Sequence, residues 1–213
     1  MKNRIAAVAL LVGIAGAASA ADPVVGDAGA GAAKAAVCGA CHGATGNSIN
    51  PIWPSLAGQH QGYITEQLAL LKSGTRVAPV MQPMALSLSA QDMADLGAYF
   101  EKQALAGLEA DPSLWQAGEK LYRGGDAKRS IPACIGCHGP NGRGNGPARW
   151  PQIRAQQSVY VATQLNNYAA HTRYATVAGQ AAAPASAEIM SDVASRLSEA
   201  DINALAAYVQ GLR

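Results

Sequence analysis

The chain has 213 residues and a formal net charge of +2, long enough for one large domain or two small ones. Hydrophobic residues make up 49%, but 46 residues are alanine and only 11 are aromatic. Burial stabilises by roughly 25 cal/mol per Å², so two alanine-rich domains would have thin cores unless something other than protein fills them. Charged residues at 14% are too few for a disordered polyelectrolyte, and the small net charge excludes general nucleic-acid binding.

Lys2 and Arg4 precede an apolar stretch over 5–18, shorter than the ~20 residues of a membrane span. It ends in Ala18, Ser19 and Ala20, a small-x-small pattern, so residues 1–20 read as a secretory signal peptide cleaved after Ala20. An uncleaved anchor is the alternative. The expected location is periplasmic for a Gram-negative source. Without this segment the chain has 14 basic and 14 acidic residues. Residues 21–111 carry four basic and eight acidic side chains, a net of −4; residues 112–213 carry ten and six, a net of +4.

In chain order, short helices are expected over 28–37 and 114–122, each ahead of a cysteine pair. The pairs are Cys38-Gly-Ala-Cys41-His42 and Cys134-Ile-Gly-Cys137-His138, the pattern of c-type haem attachment. Two thiols three residues apart can add to the two vinyl groups on one porphyrin edge, and the adjacent histidine then faces the iron. Three other readings compete. A four-cysteine zinc site leaves both histidines unexplained, a thioredoxin-like pair lacks a βαβ context, and structural disulfides need no histidine after each pair.

The chain is also an internal repeat. Trp53-Pro54 recurs as Trp150-Pro151 at an offset of 97, followed by Gln59, Tyr63, Gln67, Leu68, Thr75 and Arg76 recurring as Gln156, Tyr160, Gln164, Leu165, Thr172 and Arg173. The segments 63–72 and 160–169 read as helices. Ser89-x-x-Asp92 and Ser198-x-x-Asp201 resemble capping-box starts of a final helix in each half. An alanine-rich insertion over 174–187 accounts for the larger offset there, and 105–112 joins the halves. Nothing alternates as a strand, so both halves are expected to be all-α.

An iron that only passes electrons needs a sixth ligand, methionine or a second histidine. Met81 and Met190 each lie seven residues before the equivalent leucines Leu88 and Leu197, in loops before the final helices. They are the candidates beside His42 and His138, with Met84 as the runner-up for the first site and Met93 as core. His60 and His171 are not repeated and are expected to be exposed. Each axial histidine should donate its other ring nitrogen to a nearby loop carbonyl, with Pro51 and Pro147, both nine residues on, stiffening the loop. Tyr63, Tyr160, Arg76 and Arg173 could bond haem propionates or serve only in packing.

Taken together, CGACHGATGN, CIGCHGPNGRGN, the Trp-Pro segments, the Met81 and Met190 loops and LSAQDMADLGAYF with its second copy resemble the cytochrome c4 family. The resemblance implies two tandem class I cytochrome c domains, over 21–108 and 109–213, each with one covalent haem c, related by a pseudo-twofold that brings the haem edges together. It further implies a periplasmic electron carrier rather than an enzyme, with loose peripheral membrane association in some members. The implied partners are redox proteins, a cytochrome complex or copper protein as donor and a terminal oxidase as acceptor. An electron-accepting subunit of a flavoprotein sulfide dehydrogenase is the alternative function. A dihaem peroxidase is the further one, which the paired methionines oppose. Mass spectrometry should find a mature chain beginning at Ala21 and carrying two covalent haems; a haem-free, zinc-loaded native protein would overturn the motif reading.

Overall fold

Two glycines decide how closely the first and last helices of each half approach. In the computed structural model, which describes residues 24–213, α1 (Ala28–His42) crosses α4 (Ala90–Glu101), and α5 (Trp115–Gly124) crosses α9 (Glu199–Gly211). A Cβ on Gly31 would lie 2.1 Å from the Asp95 carbonyl oxygen, and one on Gly118 would lie 2.0 Å from that of Ala204. No other residue lets the helix backbones meet this way. The signal peptide expected over 1–20 and its cleavage after Ala20 lie outside the described residues.

Between the crossed pairs lie α2 (Gln61–Ser73) and α3 (Met81–Leu86) in the first half. The second half has α6 (Ile135–His138), α7 (Ser158–Ala169) and α8 (Ala185–Ala194). Among the described residues there are no strands, only isolated bridges, so the all-α expectation holds. No helix among them is long and apolar enough to cross a membrane. Ser89 with Asp92 and Ser198 with Asp201 close full capping boxes on α4 and α9, satisfying orphan N–H groups at both helix starts. The cores are small: Ala35, Ile64, Leu96 and Phe100 in one half, and Leu121, Tyr122, Ile131 and a face of α9 in the other. Met93 is buried in the first, as expected.

Two expectations about the helices need correction. The helix expected to end at 37 continues through the first cysteine pair to His42. The second copy has nine more residues between Gly118 and Cys134 than lie between Gly31 and Cys38. There α5 stops, a 3-10 turn (Ala127–Arg129) intervenes, and the second pair is carried by the separate short α6. The methionines lie on helices rather than in loops: Met81 opens α3 and Met190 sits inside α8. Alanine is the strongest helix former, so the end of the insertion extends α8 backwards. The rest of the insertion reaches the other half, where the Ala181 carbonyl accepts from Thr75 Oγ1 at 2.9 Å.

The halves meet about a pseudo-twofold written in side-chain amides. Gln156 Nε2 donates to the Ser55 carbonyl (3.0 Å) while its Oε1 accepts from the Ser55 N–H (2.8 Å). At the same offset of 97, Gln59 does the same to Gln152, with Nε2 to the carbonyl at 2.8 Å and Oε1 from the N–H at 2.9 Å. All four residues are buried. Arg76 Nη2 donates to the Tyr160 hydroxyl (3.0 Å), and Arg173 Nη2 donates reciprocally to that of Tyr63 (3.3 Å). His60, expected to be exposed, is half-buried in this interface, with Nε2 donating to the Arg143 carbonyl at 2.8 Å. Its repeat partner Gln157 donates to the Ser48 carbonyl. His171 is exposed, as expected.

Each amide satisfies a backbone N–H and C=O that would otherwise be buried unpaired, at about 1–3 kcal/mol per group. The wild type should therefore unfold in one calorimetric transition, and the double variant Gln59→Ala/Gln156→Ala in two, one per half. A single unshifted transition would contradict this account of the interface.

Candidate functional site

His42 ends α1 and His138 ends α6, and both are buried. Nδ1 of His42 donates to the Pro54 carbonyl at 2.7 Å, and Nδ1 of His138 donates to that of Pro151 at 3.1 Å. The proton is thereby fixed on Nδ1, leaving the Nε2 lone pair for a metal. Burial lowers the pKa of both imidazoles, and for His42 the Arg76 charge adds to this against the opposing Pro54 bond. Both histidines are thus held as neutral donors.

The acceptors are nearby loop carbonyls, as expected, and they belong to the prolines of the repeated Trp-Pro segments. The Pro51 carbonyl accepts the Tyr160 N–H across the interface, at 3.1 Å. The Trp-Pro segments are placed by two glycines with positive φ, Gly46 (77°) and Gly142 (63°). The Gly46 carbonyl takes the N–H groups of Leu56 and Ala57 at 2.7 and 3.0 Å. That of Gly142 takes those of Ile153 and Arg154 at 2.8 and 3.2 Å. This folds each loop back so that its proline carbonyl meets the ring.

One continuous cavity crosses the pseudo-twofold. Cys38, Cys41, His42 and Met81 line it in one half, and Cys134, Cys137, His138 and Met190 line it in the other. The structure thus gathers all eight candidate residues onto one void. Met84 also lines it but is largely exposed, whereas Met81 is half-buried. None of the four cysteines forms a disulfide. Burial raises the Cys38 thiol pKa and pushes Cys134 up to about 11, opposite to the depressed value a thioredoxin-like nucleophile needs. Among the described residues no three His, Cys, Asp or Glu side chains converge as a metal cluster, so the two pairs do not build a zinc site.

The Arg–Tyr pairs line the same cavity. Arg173 is 3% exposed, and its Nε finds no acceptor among the described residues. The partners of its guanidinium are the amide of Gln164 and the Tyr63 hydroxyl, neither of them a carboxylate. A buried cation with an orphan donor calls for an anion. Thiols for two vinyl groups, neutral imidazoles for iron, apolar walls for a flat ring and guanidinium groups for its carboxylates fit one haem in each half.

The cytochrome c family model matches the chain in two segments, residues 26–104 and 116–213. The chain is 42% identical over 171 residues to cytochrome c4 of Pseudomonas aeruginosa, covering 80% of this chain and 81% of that one. The chain belongs to the cytochrome c4 family. It matches the crystal structure of reduced recombinant cytochrome c4 from Pseudomonas stutzeri with a TM-score of 0.81 and 43% identity, over 89% of this chain and 100% of that chain. It is also 32% identical over 159 residues to a "thiosulfate dehydrogenase electron acceptor" of Stutzerimonas stutzeri, covering 73% of this chain and 69% of the relative. It is therefore a dihaem electron-transfer cytochrome, with one covalent haem c per c-type domain.

Sequence reasoning treated Gln59, Gln156 and their neighbours as markers of a repeat and missed that they form the interface. The signal was present: polar residues recur at one fixed offset where a haem unit alone needs only apolar ones.

Proposed function

We propose that this protein carries single electrons through the periplasm towards a terminal oxidase, using two haems of like ligation. The thioethers come from Cys38 and Cys41 and from Cys134 and Cys137. The axial ligands are His42 with Met81 and His138 with Met190, in units spanning 21–108 and 109–213. The observation that carries this reading is the duplication of a buried, carbonyl-anchored histidine and a cavity-lining methionine about one shared void. A bound haem c supplies one-electron exchange between ferric and ferrous iron. The Pro54 and Pro151 carbonyls hold each imidazole in one tautomer and orientation. A thioether opposite the imidazole favours the ferrous state and raises the potential relative to a second histidine. Were both axial positions of a bound haem taken by these side chains, neither site would leave room for a substrate, which fits a carrier rather than an enzyme.

Met81→Ala and Met190→Ala should each abolish the thioether-to-iron charge-transfer band of one haem only, and each should open that haem to carbon monoxide at neutral pH. The wild type should bind it at neither. Persistence of the band in Met81→Ala would move the ligand to Met84, and ready binding by the wild type would favour a peroxidase-type site.

A second reading, an electron acceptor serving one dedicated dehydrogenase, is favoured by the resemblance to the thiosulfate dehydrogenase electron acceptor. Co-purification with such an enzyme would support it over a freely diffusing shuttle. In either case the −4 and +4 halves should dock donor and acceptor at different ends. Transfer rates with both should change steeply with ionic strength; flat rates with both would contradict this.

A further inference from the structure

The seam between the halves has two outer edges, and the repeat fills them differently. On one edge Arg149 reaches across the seam to Glu66 at 2.8 Å. It passes over Gly62, where a Cβ would lie 3.9 Å from the arginine Cγ, and beside it His60 packs on Gly146, where a Cβ would lie 3.2 Å from Nδ1. At the offset of 97 the other edge has Ile52 for Arg149, Ile49 for Gly146, Val159 for Gly62 and Thr163 for Glu66. Ile49 is 95% exposed, Ile52 57% and Val159 44%. They lie together because the Ser48 carbonyl accepts from Gln157 Nε2 and the Pro51 carbonyl from the Tyr160 N–H, which lays residues 48–52 along the start of α7. No Asp, Glu, Lys, Arg or His occurs in 43–59 or in 155–170. One edge of the seam is thus closed by an ion pair, and the other is an uncharged apolar patch open to water.

Apolar side chains exposed singly are ordinary, but a contiguous set marks an interaction surface. We propose that Ile49, Ile52 and Val159 form the contact face for a transient redox partner, a one-electron metalloprotein that presents an uncharged apolar surface of its own. Two observations select this occupant. Trp53, next to Ile52, is partly exposed and lines the haem cavity, and the carbonyl of its neighbour Pro54 holds the ring of His42. A partner seated on the patch is therefore one residue from the cavity wall. Three aliphatic side chains also fall far short of the roughly 800 Å² per partner of a stable dimer, whereas electron-transfer encounters are small. The step is a one-electron exchange: the metal of one protein loses the electron that the haem iron or metal of the other gains, and no bond or proton moves. The unlike charges of the two halves act at long range on encounter, and the patch then supplies short-range contact by removing apolar surface from water. The inference rests on the one-electron carrier reading and is independent of which methionines ligate the haems.

The test is stopped-flow reduction of the ferric holoprotein by a reduced blue-copper protein whose copper site is ringed by uncharged aliphatic side chains, at several ionic strengths. Hexaammineruthenium(II) serves as a small reductant that needs no docking face. Ile52→Ser/Val159→Ser should slow reduction by the copper protein about tenfold, the scale of losing two aliphatic contacts. The loss should be the same at every ionic strength, and hexaammineruthenium(II) should still react at the wild-type rate. Ile52→Arg/Val159→Gly/Thr163→Glu, which copies the opposite edge and leaves the net charge unchanged, should slow the copper reaction at least as much. An unchanged copper rate in either variant, or an equal loss with both reductants in the serine variant, would overturn the proposal. So would wild-type dimers in sedimentation, or wild-type flotation with phosphatidylcholine vesicles, that the serine variant loses, since the patch would then belong to a second copy or to a lipid surface. If the triple variant fails to incorporate haem, the serine variant decides. Failure of the carrier reading would show separately, as a wild type that hexaammineruthenium(II) does not reduce.

Discussion

A buried side-chain amide must satisfy a donor and an acceptor at once, and Gln59 and Gln156 do so only on the backbone of the opposite half. Each closes a two-bond ring with residue 152 or residue 55. Because the two rings are the same interaction written twice, they are satisfied together only when the halves stand in a twofold relation. That relation merges two pockets into one cavity and lets both Arg–Tyr pairs line it. The Trp-Pro segments that anchor the axial histidines lie next to residues 55 and 152. The same short stretches therefore orient the ligands and dock the domains, so the interface cannot loosen without disturbing the ligand geometry.

The thin cores follow from the same economy. Alanine and glycine let α1 meet α4, and α5 meet α9, at backbone distance, which leaves apolar volume around the histidines for a ring larger than any side chain. Small apolar clusters suffice because covalently held haem completes them. Apolar surface buried against a porphyrin stabilises the fold as surface buried against protein would.

Duplication made the halves alike, and a few differences between them break that symmetry. Acidic side chains predominate before residue 112 and basic ones after it. Among the described residues the cage of Tyr168 and Tyr174 around Arg173 belongs to the second half alone, and so does the insertion whose Ala181 carbonyl ties back to Thr75. Net charge acts at long range on encounter with partners, whereas a buried guanidinium acts at short range on the cavity it lines.

Much of this was legible in the residue pattern. The Cys-x-x-Cys-His spacing, the offset of 97, the capping serines and the matched positions of Met81 and Met190 are local or periodic features, and such features specify two similar helical haem units without reference to the fold. What the chain order did not contain was contact between distant positions. Nothing local distinguishes the Pro54 carbonyl from that of Pro51 as partner for His42, because the choice depends on how the glycine-turned loop folds back. Nothing local makes His60 a half-buried interface residue, or turns a repeated arginine into a caged cation in one half and a partly exposed one in the other. By itself the sequence determined the two attachment sites and the paired axial candidates, since covalent and coordinate chemistry depend on spacing. The tertiary structure alone decided the shared cavity and the contacts between the halves around it, since burial and hydrogen-bond partnership are properties of packing.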